Sequence, residues 1–156
     1  MVNKKIRLGI LAMTLVFGMT VVGCDDGRDD GFTNGNSNDA SLNGTWVMDD
    51  SKLILNNGRF ESSVKGIPNA KGIYTTSGDN ITITFTHLYI TEEHNRNKYD
   101  FKSKWYSEKE LKSIVGNDPY WQALFPFSPS TDKYSLTGNT LTFTNEYGPK
   151  IYTRKN

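Results

Sequence analysis

The residue with the most defined chemistry in this chain is Cys24, the only cysteine among 156 residues. It follows Gly23 directly, at the end of an apolar run over residues 10–22 that three basic residues precede. A thiol is a strong nucleophile. Burial of this thiol in a core is disfavoured, because residues 25–31 are all Asp, Arg or Gly and have nothing to bury. The run of thirteen residues is shorter than the roughly 20 that a spanning helix needs.

The basic leader, the apolar run and the Gly23-Cys24 pair resemble the signal and lipobox of bacterial lipoproteins. The resemblance implies that the Cys24 thiol accepts a diacylglyceryl group. A peptidase then cuts after Gly23, whose small side chain leaves it room. Residues 1–23 are therefore expected to be a signal peptide, and Cys24 to be the lipid attachment that carries palmitate-type chains. The implied location is the bacterial cell envelope, anchored to a membrane, either periplasmic or surface-exposed.

Composition divides the mature chain into a flexible acidic tether, residues 24–41, and one domain, residues 42–156. The tether is rich in Asp, Gly, Asn and Ser, which keeps a segment solvated; a short interaction tail is the alternative. The whole chain has 18 basic and 17 acidic residues, and loss of three basic residues with the leader leaves 15 and 17, net −2. Nucleic acid is therefore not expected as a partner, because phosphate binding needs a basic stripe.

An internal repeat indicates the fold class. The segment YTTSGDNITIT begins at Tyr74, and YSLTGNTLTFT begins at Tyr134, sixty residues later. Both alternate apolar and hydroxyl residues around a Gly-Asp or Gly-Asn pair, which is typical of two half-buried strands joined by a two-residue loop. With that loop, Tyr74 faces Ile83 and Tyr134 faces Phe143, as cross-strand pairing prefers. Asn57-Gly58 predicts a third hairpin by the same logic.

The alternation predicts eight strands, at about 44–48, 52–56, 59–64, 72–77, 80–90, 132–137, 140–145 and 149–154. We therefore predict an all-β fold, a small eight-stranded antiparallel up-and-down barrel, whose closure removes exposed strand edges. Aromatic residues also alternate at 98–105. A ninth strand in the ring would make the first and last strands parallel, so this segment is interpreted as an extension or a strand-like loop.

An insertion at about 91–131 separates the two repeats and carries two helix signals. Ser107 begins a capping box, with Glu110 at its third position. Asp118-Pro119 begins a second short helix, which ends at a proline. We expect this short helical insertion, at about 107–125, to lie over one mouth or one side of the barrel.

The first strand opens with Gly44-Thr45-Trp46, which is similar to the Gly-x-Trp start of lipocalin-like (calycin-type) domains. Together with the eight strands and the repeated hairpins, residues 42–156 resemble the lipocalin-like β-barrel domain of some bacterial lipoproteins. The resemblance implies a barrel in which Trp46 closes one end, and it implies a fold more than a function.

Strand parity predicts the side chains that face the interior: Trp46, Leu53, Leu55, Phe60, Val64, Tyr74, Ile81, Ile83, Phe85, Tyr134, Leu136, Leu141, Phe143 and Ile151. Eight strands enclose an interior that side chains just fill, or that holds one small ligand. So many bulky residues favour a filled core at one end and a cavity at the opposite end, near the insertion. Ser62, Gly72 and Thr76 are the small inward residues that would leave space.

Aromatic residues of the insertion are the candidate ligand-binding side chains. The candidates are Trp105, Tyr106, Tyr120, Trp121 and Phe125, with Phe127 beside them. An aromatic lid over a barrel mouth would bind an apolar or sugar ligand by stacking. Two alternatives stay open: the rings cover the barrel as part of its core, or an exposed subset forms a protein-binding patch.

Neither metal binding nor catalysis is expected from the sequence. His87 and His94 lie near Glu92 and Glu93, but this spacing matches no ligand motif. Strand parity places His87 on the inward side after Phe85, at the rim of the barrel. Asp49-Asp50 sits at a predicted turn, where Asp is common for backbone reasons. No nucleophile elbow, phosphate loop or dinucleotide fingerprint is present in the sequence. The chain is therefore expected to be neither an enzyme nor a holder of a cofactor.

Two functions remain as expectations. The first is binding of a small apolar or amphipathic ligand at the barrel mouth under the insertion. The second is a protein-interaction or inhibitory module of the cell envelope, with a filled barrel and no small-molecule ligand. The expected partners are the membrane, through the lipidated cysteine, and either a small apolar ligand or an envelope protein.

Overall fold

The computed structural model describes residues 39–94 and 99–156. The strands in these ranges are β1 (Gly44–Met48), β2 (Ser51–Asn56), β3 (Arg59–Val64), β4 (Ile67–Ser77), β5 (Asn80–Ile90), β6 (Lys104–Ser107), β7 (Ser130–Thr137), β8 (Thr140–Asn145) and β9 (Gly148–Lys155). Helices α1 (Glu108–Val115) and α2 (Pro119–Leu124) lie between β6 and β7. Two 3₁₀ turns span Ala40–Leu42 and Glu92–His94. The predicted signal peptide, Cys24 and most of the predicted tether lie outside the described residues.

Eight strands form a closed antiparallel barrel in the order β1, β2, β3, β4, β5, β7, β8, β9, with β9 pairing back onto β1. The predicted eight-stranded antiparallel barrel with a helical insertion is confirmed. Strand β6 stands outside this ring and pairs with the far half of β5. The prediction for 98–105 is therefore correct as an extension, although of the described residues 99–105 only Lys104 and Trp105 are in a strand.

The three predicted hairpins have the predicted register. Tyr74 is opposite Ile83, Tyr134 is opposite Phe143, and the hairpin at residues 57–58 pairs as expected. Both residues of the Asn57-Gly58 turn have positive φ (47° and 78°), whereas in the two repeats only the glycine does (57° in each). Asn-Gly suits a turn with two left-handed residues, and a leading glycine suits a turn with one, so residue type sets each turn and its register.

A bulge in β5 changes which side chains face the interior. Phe85 is opposite Gly72 of β4, but the residue before Gly72 is opposite His87, so Thr86 has no partner in the register. Before the bulge the odd-numbered residues of β5 face the interior, and after it the even-numbered residues do. Ile90 is therefore buried, whereas Tyr89 is only half-buried. The prediction that His87 faces the interior is therefore wrong, because the bulge turns it outward.

The hydrophobic core lies inside the barrel and continues beneath the insertion. Its buried residues are Leu42, Trp46, Leu55, Phe60, Ala70, Tyr74, Ile81, Ile83, Phe85, Ile90, Phe101, Tyr106, Leu111, Val115, Trp121, Phe127, Leu141 and Phe143. Leu53, Val64, Tyr134 and Leu136, also predicted to face inward, are half-buried. The prediction that Ile151 faces inward is wrong, because it is 55% exposed and lies opposite Thr142 on the outer face. Its neighbour Tyr152 lies opposite buried Leu141 and packs inside.

Gly72 is a contact point between strands rather than a source of free space. Phe60 and Phe85 are its partners on the two neighbouring strands, and their rings meet edge to face with centroids 5.3 Å apart. A Cβ atom at Gly72 would lie 2.0 Å from the carbonyl oxygen of Thr84 and 2.8 Å from the Phe60 ring. Only glycine therefore lets the strand and the ring approach this closely.

We expect Gly72→Ala to lower the free energy of unfolding by about 1–3 kcal/mol or more, because the added methyl group overpacks the core against backbone. Urea denaturation followed by circular dichroism would measure the loss. Gly66→Ala is the matched control: its Cβ would meet nothing within 4 Å, so only its positive φ of 78° is penalised. An effect of Gly72→Ala no larger than that of the control would contradict the close contact.

Helix α1 begins as its sequence predicts. The Ser107 hydroxyl accepts a hydrogen bond from the Glu110 amide (3.3 Å), and the Glu110 carboxylate accepts one from the Ser107 amide (2.8 Å). The Glu110 carboxylate also accepts a hydrogen bond from the Ser107 hydroxyl (2.8 Å) and one from Lys104 (3.2 Å). The bonds that it accepts from the Ser107 amide and hydroxyl, followed by the one from Lys104, lower the pKa of Glu110 to about 2. The helix places Leu111 and Val115 in the core, so the insertion is packed onto the barrel.

Candidate functional site

The two ends of the barrel differ in chemistry. The end called the sealed end here holds residues 39–43 and the turns at 57–58, 78–79 and 138–139. The opposite end, the insertion end, holds the turns at 49–50, 65–66 and 146–147 and the segments that flank the insertion. Antiparallel pairing around a closed ring produces this division, because alternate turns lie at opposite ends.

Trp46 closes the sealed end, as the resemblance to lipocalin-like domains implies. Its ring is fully buried, and its N–H donates to the carbonyl oxygen of Leu42 at 2.8 Å. The guanidinium of Arg154 lies over the ring, 4.3 Å from the centroid. The same guanidinium donates to the carbonyl oxygens of Asn43 (2.7 Å) and Ser41 (2.6 Å). A single arginine therefore holds the entering chain against the tryptophan.

Asp39 adds a second set of bonds at the sealed end. Its amide donates to the Thr76 hydroxyl at 3.0 Å, and its carboxylate accepts from the Ser41 amide at 2.9 Å and the Tyr134 hydroxyl at 3.2 Å. The bonds from Ser41 lower the pKa of Asp39 most. Residues 39–41, which the sequence analysis assigns to the tether, thus lie on the barrel.

An aromatic cluster forms beside the insertion end. It comprises Tyr99, Phe101, Tyr106, Trp121, Phe125 and Phe127. Neighbouring ring centroids are 5.2–6.0 Å apart, from 5.2 Å between Phe101 and Trp121 to 6.0 Å between Trp121 and Phe125. The rings come from the segment before β6, from β6 itself, and from α2 and the residues after it. Stacking among them is what holds these segments together.

The structure brings together some of the predicted ligand-binding residues and separates others. Tyr106 and Trp121 are in the aromatic cluster and are only 2% and 9% exposed, while Phe125 is half-buried at its margin. Trp105 points to the opposite face of β6. The side chain of Tyr120 lies outside the described part. Packing within the cluster agrees with the alternative of a covering core, and binding by these residues stays a prediction.

Trp105 forms an outer aromatic pair with Tyr89. Their ring centroids are 5.4 Å apart, edge to face, and the two residues are opposite each other on β6 and β5. The Lys71 ammonium lies 4.5 Å from the Trp105 ring centroid. The bulge at Thr86 produces this pair, because it turns Tyr89 outward beside Lys71.

The histidines and acidic pairs of the sequence do not converge in the described structure. A hydrogen bond of 3.1 Å joins the Nδ1 atom of His87 and the Thr86 hydroxyl. Glu92 and Glu93 are in a 3₁₀ turn, and the side chain of His94 is not described. Across residues 39–94 and 99–156, no three side chains of the metal-binding types lie together. The expectations of no metal and no catalysis stay predictions.

A polar groove, called the Asp132 groove, opens at the junction of β5, β7 and β8. It has a volume of about 310 Å³. Its walls are Asn80, Thr131, Asp132, Lys133, Thr144, Asn145 and Glu146. Only Asp132 among these is buried, and the other wall residues carry amide, hydroxyl and charged groups.

Asp132 occupies an inward position between an apolar residue of β5 and the Asn145 amide of β8. It is 7% exposed and opposite Ile81, which is completely buried. One side of the carboxylate accepts a hydrogen bond from the Asn145 side chain. Among the described residues, no group is in hydrogen-bonding range of Oδ2. Burial raises the pKa of Asp132 to about 6, against the smaller opposing effect of Asn145.

Asp132 is not among the residues predicted from the sequence to form a site, although the sequence carries a signal for it. The residue precedes Tyr134 and Leu136 at a spacing of two, so the strand parity used for those residues also places Asp132 inward. A carboxylate in an inward series is unusual enough to mark a candidate site. Strand parity does not show that the Asp132 carboxylate has a hydrogen bond from Asn145 on one oxygen and no described partner on Oδ2.

Asp132 is expected to make the barrel less stable as pH rises. Its pKa is about 6 in the folded state and 3.8 when unperturbed, so the folded state binds more protons between these values. Stability therefore falls from about pH 4 to pH 7, by on the order of 1–3 kcal/mol. Asp132→Asn should remove most of this slope and unfold at higher temperature than wild type at pH 7. Thermal unfolding at pH 4 and pH 7 measures it; parallel behaviour of the two proteins would contradict the buried charge.

Comparison with known proteins adds no relative to this description. No protein-family model matches the chain, and searches of curated proteins and of solved structures return no match. Within the described ranges, no helix combines the length and the apolar character that crossing a bilayer requires. The fold and the contacts above define a closed eight-stranded antiparallel barrel with a helical insertion.

Proposed function

We propose that this chain is a lipid-anchored protein of the bacterial envelope whose barrel binds a small apolar or amphipathic ligand at the insertion end. The anchor is supported by the basic leader, the apolar run and the Gly23-Cys24 pair. The barrel is supported by the closed ring of eight strands, an architecture that holds one small ligand when its interior is not completely filled.

The observation that carries the ligand proposal is the difference between the two ends. The sealed end is held by directional hydrogen bonds from Arg154 and Asp39 around a buried tryptophan. The insertion end is covered by the aromatic cluster, with Leu124 and Phe125 half-buried at its margin. Each contact between apolar atoms is individually weak, so an apolar ligand that packs against the same rings can replace part of these contacts. A ligand is therefore expected to enter between the cluster and the barrel.

Native mass spectrometry of the protein purified from its own host tests this proposal. We expect a co-purified small molecule, released on denaturation. A dansyl-labelled fatty acid is the probe for titration, and Phe125→Ala should weaken its binding at least five-fold. Tyr147→Ala is the matched control, because Tyr147 is an exposed aromatic residue outside the cluster. Absence of both a co-purified molecule and saturable probe binding would refute the proposal.

A second candidate function is protein interaction, and the outer aromatic pair favours it. Strand β6 is the last strand of the sheet order and has β5 as its one strand partner within the described residues. Trp105 of β6 and Tyr89 of β5 form a ring pair on the outer face of these two strands, with the Lys71 ammonium beside it. Tyrosine and tryptophan are common anchors of protein interfaces.

Crosslinking in the native host separates the two functions. If the barrel recruits an envelope protein through β6, Trp105→Ala should abolish a specific crosslinked product, whereas Phe125→Ala should preserve it. If the barrel is a small-molecule binder, no crosslinked product depends on Trp105, and the fatty-acid probe binds the Trp105→Ala protein with unchanged affinity.

A further inference from the structure

We propose that the junction between β5 and β7, called the insertion seam here, is a proton-controlled gate of the barrel that opens when Asp132 is ionised. Asp132 is 7% exposed and faces the barrel interior, opposite Ile81. Opening of the seam brings its carboxylate into water. The proposal goes beyond the function proposed above and does not depend on it, because it concerns the barrel without a ligand.

The connections between strands set the insertion seam apart. Short turns join all neighbouring strands of the ring except two pairs, β5 with β7 and β9 with β1. A short turn keeps two strands side by side even when bonds between them break. β5 and β7 are connected through the insertion instead, and they pair over residues 80–83 and 130–133. By contrast, β4 and β5 are joined by a turn and pair over residues 70–77 and 80–88.

The junction of β9 and β1, called the closure seam here, has a clamp in place of a turn. Arg154 of β9 lies over the Trp46 ring of β1. It also donates to the carbonyl oxygens of Asn43 and Ser41, in the segment that leads into β1. These charge-assisted bonds hold the two strands together.

The insertion seam has exposed polar contacts on its outer face and a buried carboxylate on its inner face. A hydrogen bond of 2.7 Å joins the hydroxyls of Thr82 and Thr131. The ion pair of Lys133 with Asp79 has side chains that are 66% and 61% exposed, and such pairs contribute little to stability. Inside, Asp132 Oδ2 has no hydrogen-bond partner among the described residues. An ionised buried acceptor without a donor is costly, so ionisation favours an open seam.

The direction of the pH effect follows from the surroundings of Asp132. Ile81 of β5 and Asn145 of β8 face it, and neither side chain titrates. The charged and titratable groups of β7 and the adjoining turns are Asp79, Lys133, Tyr134 and Glu146. Burial raises the pKa of Asp132 to about 6, from 3.8 when it is unperturbed. The closed seam therefore binds the proton more tightly, and opening increases from about pH 4 to pH 6 and then levels off.

Amide hydrogen exchange of residues 24–156 with Cys24→Ser tests the gate in a chain that contains every described residue. Exchange through a local opening depends little on low urea, because little surface becomes exposed. Exchange through global unfolding accelerates with urea, so the two routes are separable.

We expect the amides of Ile81 and Asp132, opposite each other across the insertion seam, to exchange independently of low urea. The amides of Val47 and Thr153, opposite each other across the closure seam, should exchange faster as urea is added. After correction for intrinsic rates, protection at the insertion seam should be at least ten-fold lower at pH 7.5 than at pH 4.5. Urea dependence like that of the closure seam, or equal protection at the two pH values, overturns the proposal.

Two variants assign the pH dependence. Asp132→Asn keeps the shape of the side chain and removes its charge, so protection at the insertion seam should differ less than two-fold between the two pH values. His87→Gln is the matched control, because histidine also changes charge in this pH range and His87 is on the outer face of β5. It should keep the ten-fold change. A pH effect that persists in Asp132→Asn, or that His87→Gln removes, overturns the proposal.

A reversible lock tests the opening with Asp132 in place. The Thr82 and Thr131 hydroxyls are 2.7 Å apart, so Thr82→Cys with Thr131→Cys is expected to form a disulfide across the outer face of the seam. At pH 7.5 the oxidised protein should lose the urea-independent exchange of the seam amides, and reduction should restore it. Retention of that exchange in the oxidised protein would show that the opening is not at this seam.

Discussion

Replacing Trp46 by alanine is expected to lower the free energy of unfolding by about 3–5 kcal/mol, the range for removal of a buried tryptophan. The fully buried ring bonds to the Leu42 carbonyl and lies under the Arg154 guanidinium. Its loss leaves a cavity at the sealed end, an unpaired carbonyl oxygen and a guanidinium without its ring. Because small domains are stable by only about 5–15 kcal/mol, the variant is expected to be close to unfolding at 37 °C.

Urea denaturation of residues 24–156 with Cys24→Ser measures this effect. A fall in the midpoint with an unchanged slope would show a loss of stability without a change in the unfolding transition. Trp46→Phe is the control, because it keeps much of the packing but removes the indole N–H. It should lose less than Trp46→Ala. A loss below 1 kcal/mol in Trp46→Ala would show that the sealed end does not depend on the tryptophan.

The sequence predicts the hairpins well because each depends on local chemistry. Gly78 and Gly138 set a turn with one left-handed residue, Asn57-Gly58 sets one with two, and alternation across each turn sets the register. Such signals lie within about ten residues of one another. The eight-stranded barrel follows, because short loops leave few other orders for the strands.

Long-range features of the fold could not be predicted in this way. The bulge at Thr86 depends on how β4 meets β5 near Gly72, and nothing local to β5 indicates it. The alternation of the strand therefore assigns His87 to the wrong face of the sheet. Strand parity along β9 also places Ile151 inward, but pairing with β8 gives that position to Tyr152. A strand's face is set by its partner as well as by its own residues.

The candidate sites show the same division between local and long-range information. The aromatic residues of the insertion were identified by composition, yet whether each ring is buried or exposed depends on contacts between distant segments. Trp105 and Tyr106 are adjacent, and one is on the outer face while the other is in the cluster. The Asp132 groove requires Asn145 from the next strand and Asn80 from the previous one. The types of side chain in a segment are thus easier to predict from the sequence than which of them lie together in the fold.

The second large effect concerns the anchor. Cys24→Ser is expected to abolish acylation and to release the protein from the membrane fraction. A serine hydroxyl is a far weaker nucleophile than a thiol at neutral pH, so transfer of the diacylglyceryl group should fail. Stable membrane binding requires more than one acyl chain, and the remaining mature chain is net acidic, which does not favour an anionic lipid surface.

Metabolic labelling with an alkyne analogue of palmitate, followed by membrane fractionation, measures both consequences of Cys24→Ser. We expect wild-type protein to be labelled and to sediment with membranes, and the variant to be unlabelled and mainly soluble. Gly23→Ala is the matched control, since a second small residue should still admit the peptidase and preserve labelling. If Cys24→Ser protein stays membrane-bound and labelled at the wild-type level, the anchor is not at this cysteine. In that case, the acidic tether would not hold the barrel close to a membrane surface.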